Sequence, residues 1–117
     1  MFEDDDSHPI PSVNNLDMIA QRRTGGADLL ILVPTPLEAD ERSQRRLVQK
    51  IENYLGFIVS SEFKQEFGAP DPSTVRIVVK INNDSDPAVF ALLKRCEPWV
   101  NDNQVSLVVE APAAQSQ

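Results

Sequence analysis

The stretch Ala27-Asp28-Leu29-Leu30-Ile31-Leu32-Val33 constrains this chain more than any other. It is too short to span a membrane, which takes about 20 apolar residues. It is also too continuous for a strand with one wet face, so it reads as a strand covered on both sides. Upstream, Leu16, Met18 and Ala20 alternate with Asp17, Ile19 and Gln21, a modest strand ending at Arg22-Arg23. Thr24-Gly25-Gly26 supplies the turn, because glycine reaches positive φ without steric cost. Residues 14–33 therefore read as a β-hairpin.

Helical signals follow. Thr35 is placed to cap a helix, Pro36 suits its first position, and Glu38 lies three residues on for a capping box. Acids (Glu38, Asp40, Glu41) precede bases (Arg42, Arg45, Arg46, Lys50), a gradient that complements the helix dipole. Leu47, Val48, Ile51, Tyr54, Leu55 and Ile58 form one apolar stripe. A short helical turn over 62–67 should stop at Gly68-Ala69-Pro70. Val75, Ile77, Val79 and Ile81 alternate with Thr74, Arg76, Val78 and Lys80, which predicts a strand with one firmly buried face. Asp86 then caps and Pro87 opens a helix with the stripe Val89, Phe90, Leu93 and Cys96. Pro98 should kink or stop it, leaving Trp99 and Val100 as a lid over its end. Asn101-Asp102-Asn103 makes a turn, and Val105, Leu107 and Val109 alternate through a last strand.

The order is thus ββαβαβ, counting the two main helices. Crossovers through helices make strands two to four parallel, and the hairpin makes strand one antiparallel. If sequential strands are neighbours, right-handed crossovers put both helices on one face. The expected fold is α+β, a two-layer α/β sandwich with a mixed four-stranded sheet; a split strand order also fits. One domain over 13–110 is expected, with an acidic flexible arm at 1–12 and a flexible C-terminal tail at 111–117.

Composition narrows the chemistry. The chain has 117 residues, 18 acids against 11 bases, and a net charge of −7. That charge argues against nonspecific binding to nucleic acid or to an anionic membrane. Four of the acids (Glu3, Asp4, Asp5, Asp6) lie in the arm, which has no base, so 14 acids face 11 bases elsewhere. The opening Met1-Phe2-Glu3-Asp4-Asp5-Asp6 is the opposite of a basic, then apolar, signal peptide, and a cytoplasmic location is expected. A single cysteine excludes a disulfide framework.

No catalytic constellation stands out, and no enzyme is the leading expectation. Cys96 lies on an apolar stripe, where a small buried hydrophobe is the economical reading. The one histidine, His8, sits in the arm, too far in sequence from any fixed nucleophile to argue a triad. Asp4, Asp5, Asp6 and His8 lack fixed metal-site geometry, and Asn82-Asn83-Asp84-Ser85-Asp86 lacks the glycine and glutamate of a calcium loop. None of the four glycines forms a phosphate-binding pattern, so no cofactor or metal is expected. Gly56 inside the first helix is best explained by close packing against the sheet.

Two features point outward. Arg42, Arg46 and Lys50 line one edge of the first helix and suit an acidic partner, although a solvated helix face is the favoured reading. If both helices cover one sheet face, Val78, Val108 and one set from strand two point to the other. That set is Leu30 with Leu32, or Leu29 with Ile31 and Val33. Taking the first set, Leu30, Leu32, Val78 and Val108 form a patch suited to a protein partner or a homodimer, unless residues 57–67 or a tail fold over it.

Leu47-Val48-Gln49-Lys50-Ile51-Glu52-Asn53-Tyr54-Leu55-Gly56-Phe57-Ile58, followed by Ser60-Ser61-Glu62, resembles the central helix of a bacterial family of small single-domain proteins of uncharacterised function. The similarity continues through the strand at 75–81 and the helix opened by Pro87, covering residues 14–110. It implies a bacterial, cytoplasmic α+β protein and carries over no active-site residue. The leading expectation is a non-enzymatic interaction module: an adaptor, a subunit or an immunity-type partner. The competing expectation is a small-molecule binder or enzyme using carboxylates and arginines at the strand carboxyl ends, near Pro34, Asn82 to Asp86, and Glu110.

Overall fold

A computed structural model describes residues 3–23, 25–68 and 71–111. The elements run β1 (Met18–Gln21), β2 (Ala27–Val33), α1 (Glu41–Ile58), α2 (Ser61–Phe67), a 3-10 turn (Pro72–Thr74), β3 (Val75–Ile81), α3 (Pro87–Asp102) and β4 (Ser106–Glu110). The sheet order is β1-β2-β3-β4, so the split arrangement is not used. β1 pairs antiparallel with β2, and β2, β3 and β4 are mutually parallel. This is the expected α+β sandwich with a mixed four-stranded sheet.

Register decides which side chains meet the helices. Leu29 pairs with Ile77 and Ile77 with Leu107, so these three share one face. With Ala27, Ile31, Val33, Val75, Val79 and Ile81 they form the sheet side of the core. α1 adds Leu47, Ile51, Tyr54, Leu55 and Ile58; α3 adds Val89, Leu93, Cys96 and Val100. Both main helices therefore cover the same sheet face. α2 also belongs to this layer: Phe63 is buried in the core, with ring contacts to Phe57 and Phe67 at 5.4 and 5.0 Å.

β1 is shorter than its alternation suggests, because side chains replace its backbone at one end. The Tyr54 hydroxyl donates to the Leu30 carbonyl (2.7 Å) and accepts from the Asp17 amide (2.9 Å). The Leu32 amide donates to the Asp17 carboxylate at 2.9 Å. At the other end the hairpin closes through the Arg22 amide on the Gly26 carbonyl, 3.1 Å. Gly26 has φ +84°, and a Cβ there would lie 2.1 Å from the Thr74 carbonyl oxygen, so only glycine fits.

Two boundaries differ from expectation. α1 starts at Glu41 with Asp40 as its cap, the Asp40 carboxylate accepting from the Ser43 amide at 3.2 Å, not at Thr35. The reason is tertiary. Leu37 is buried in the core, its amide donates to the Ser85 hydroxyl (2.9 Å), and its carbonyl accepts from the Asp86 amide (2.9 Å). Those cross-chain bonds hold the segment extended past its local capping signals. α3 does not stop at Pro98 but continues to Asp102, so Trp99 and Val100 belong to the helix and not to a lid. Burial of Val100 in the core outweighs the bond that proline removes. α2 ends as expected on Gly68 in the left-handed region, φ +75°. The rest of the predicted stop, residues 69 and 70, lies outside the described residues.

The segment expected as a flexible arm lies against α1. Ile10 and Val13 are buried in the main core. Arg46, only 2% exposed, donates to the carbonyls of Ile10 (2.9 and 2.7 Å), Pro11 (3.1 Å) and Glu3 (2.9 Å). Lys50, fully buried, donates to the Ser12 carbonyl (2.5 Å) and to the Asp17 carboxylate (2.7 Å). Asn53 reaches the Val13 carbonyl at 3.1 Å, and Arg42 pairs with Asp5 at 2.6 Å. Spacing of four and three residues puts these donors on one helix face, which holds the segment by its backbone. The expected tail lies outside the described residues from residue 112 onward.

Candidate functional site

Among the described residues, the sheet face opposite the helices has no covering layer; the tail named as a possible cover lies outside them from residue 112. Met18, Leu30, Val78 and Val108 form one row across all four strands, set by the pairs Met18 with Leu30, Leu30 with Val78, and Val78 with Val108. None of these four belongs to the main core. Leu32, half-buried, lies in the next row with Lys80 and Glu110. The set Leu29, Ile31 and Val33 is the one turned to the helices, so the outward set is Leu30 with Leu32.

Exposure varies along the row. Met18 is 51% exposed, whereas Leu30 and Val78 are buried. Val78 has Arg76 and Lys80 as its same-face neighbours on β3, and both side chains are partly exposed. The patch is thus an apolar band with a charged rim on both sides. On one side Asp28 accepts two bonds from Arg76 (2.9 and 2.7 Å) and one from Arg22. The Arg76 guanidinium foremost, with Arg22 beside it, holds the Asp28 carboxyl below its usual range. On the other side Lys80 faces Glu110 at 3.7 Å.

The outward residues named from sequence divide in two. Leu30, Leu32, Val78 and Val108 come together on this face. Arg42, Arg46 and Lys50 do not join them; they lie on α1 and bond to the amino-terminal segment. Their acidic and carbonyl partners are the chain's own residues 3–17. Met18 and the Arg22–Asp28–Arg76 cluster were missed, because face membership across strands follows from register and not from any single strand's pattern. The alternative of cover by residues 57–67 is not found, since Phe63 is committed to the helix-side core.

Other chemistry is confined. Cys96 is a free, buried thiol whose pKa burial pushes up. His8 does meet a serine hydroxyl, with Nε2 2.9 Å from Ser43 Oγ. Its Nδ1, however, accepts from the Ile10 amide at 2.9 Å, so Nε2 carries the proton and donates. In that tautomer the ring cannot take a proton from Ser43. No group of three or more acids, histidines or cysteines able to hold a metal ion occurs among the described residues. Within the same residues, no helix is long and apolar enough to cross a membrane.

A mixed sheet with one helix-covered face and one open, charge-rimmed face defines a two-layer α+β domain. The chain belongs to a family of unknown function, DUF6572, which matches residues 9–113. No curated protein and no solved structure matches it.

Proposed function

We propose that this chain is a bacterial, cytoplasmic, non-enzymatic interaction module, an adaptor, subunit or immunity-type partner, that contacts a protein partner or a second copy through its open sheet face. One observation carries the reading: Met18, Leu30, Val78 and Val108 cross the whole sheet on the side that no helix covers. An apolar band inside a charged rim is the usual anatomy of a protein contact. The rim charges are paired within the chain, which suits a protein surface better than a phosphate backbone.

The competing reading places a ligand at the strand carboxyl ends. Against it stands the internal use of the polar groups there. The Asn82 side chain donates to the Pro34 carbonyl (3.0 Å) and accepts from the Asp84 amide (2.8 Å). Ser85 is engaged by Leu37, and Asp86 caps α3 through the Ala88 amide at 2.8 Å.

Light scattering over a concentration series tests the proposal. Wild-type protein, alone or with a partner copurified from its host, should run above monomer mass, and Met18→Glu with Leu32→Glu should return it to monomer. A strict monomer that binds no apolar dye and retains no partner overturns the proposal.

A further inference from the structure

Gly56 poses a question that the fold does not answer. It lies in the last turns of α1, where glycine costs about 1 kcal/mol relative to alanine. The expected explanation, close packing on the sheet, does not hold. Gly56 is exposed, its backbone is ordinary helix, and a Cβ built on it would meet nothing within 4 Å. Nothing inside the described chain requires a bare backbone there. What the glycine does do is keep a groove open.

That groove, about 760 Å³, lies where α1 and α3 both end. Gly56, Phe57 and Val59 line it from the end of α1, and Trp99 and Asn103 from the end of α3. Val59 is 63% exposed, and Trp99 is half-buried. Glu52 and Glu62 add to the wall, together with Asn14, Asn53, Leu55 and Ser60, and no lysine, arginine or histidine is among the lining residues. Neither glutamate is in an ion pair among the described residues. Glu62 has a local role in the first turn of α2, but Glu52 has none of that kind.

The backbone adds to the same field. A helix carboxyl end carries a partial negative charge that a basic residue in the last turn would offset. Neither α1 nor α3 has one; neutral side chains of Ser60 and Asn103 donate to the Phe57 and Trp99 carbonyls and leave that charge in place. Two helix ends, two carboxylates and an indole side chain thus line one open trough with no cationic side chain among its described lining residues. A guanidinium satisfies all three at once: it pairs with carboxylates, stacks on an indole and tolerates helix carbonyls.

We infer that this groove is a docking site for an arginine-bearing segment of a partner polypeptide, with the guanidinium between Glu52 and Trp99 and the partner's backbone close over Gly56. The exposed Val59 and the open groove suit a peptide segment better than a free small cation. This surface belongs to the helix layer, so it stands or falls independently of the open sheet face.

Trp99 is the only tryptophan in the chain, so its emission reports on the site directly. The full chain is titrated with a blocked hexapeptide of alternating arginine and alanine. Two controls accompany it: the same peptide with neutral citrulline for arginine, and free arginine amide. A saturable change in emission is expected with the arginine peptide, at least tenfold weaker with either control. Glu52→Gln with Glu62→Gln should weaken binding at least tenfold. Gly56→Leu should abolish it while melting no lower than wild type, which separates a blocked groove from a damaged fold. No saturable response, an equal response to the citrulline peptide, or binding unchanged in these variants overturns the inference. Equal affinity for free arginine amide also overturns it, in favour of a small-ligand site.

Discussion

His8 is held neutral by what surrounds it. Burial foremost, and then the nearby charges of Arg46 and Arg42, lower its pKa from the ordinary value near 6.5. A base whose folded pKa lies below its unfolded one binds protons better when unfolded. Its contribution to stability is therefore complete above pH 6.5 and is lost as pH falls through the folded value. Asp5, Asp28 and Asp40 are also shifted down, but their contributions disappear only as pH falls below the carboxylate range near 4. The two windows are separate, and His8 is the only histidine. Urea unfolding at pH 7.5, 6.5 and 5.5 should show wild type losing stability toward pH 5.5 more steeply than His8→Gln. Equal slopes would mean that the ring does not pack against Ser43 and Ile10. In the sequence, His8 was visible only as a histidine among acids. Its partners lie 35 residues away at Ser43 and two away at Ile10, and only the first contact makes it structural.

At the scale of elements, periodicity located every helix and strand, and errors gathered at boundaries. β3 and the stripes of α1 and α3 follow from spacings of two, three and four residues, which any local reading recovers. The start of α1 does not, because Thr35-Pro36 is a sound cap until Leu37 is drawn into the core and bonded to the β3–α3 loop. The helix-ending signal at Pro98 failed for a related reason. Proline there removes the amide that would bond the Lys94 carbonyl, yet packing on both sides of it holds the helix. Pro98 is exposed, so Pro98→Ala should restore that bond without disturbing the core. We expect a gain of about 1–3 kcal/mol in urea unfolding, within the range proline costs a helix interior. No gain would mean that the carbonyl already has another donor.

For the whole molecule, the largest difference lies at the amino end. An acidic, proline-containing stretch resembles a tail by composition, yet Ile10 and Val13 are part of the core. The family match also begins at residue 9 and takes in both. Each such side chain stabilises the fold by about 1.5–3 kcal/mol when fully buried. Deleting residues 1–13 should therefore cost at least about 3 kcal/mol in urea unfolding, a large share of the roughly 5–15 kcal/mol typical of a domain. Unchanged stability would show the segment to be dispensable. By itself, the sequence determined the elements: the β2 run, the alternation of β3 and the helix stripes dictate the strands and helices of a mixed sheet. Strand order, and with it the open face of β2, did not follow from them. The reason is that hydrophobic spacing is local and repeats along each element. Tertiary structure alone decided where the basic side chains go. Arg46 and Lys50 look like any solvated helix edge until backbone carbonyls 36 and 38 residues distant arrive to accept their hydrogen bonds. It also decided that Gly56 opens a groove instead of closing a packing contact, because empty space beside a residue is written nowhere in its own neighbourhood of the chain.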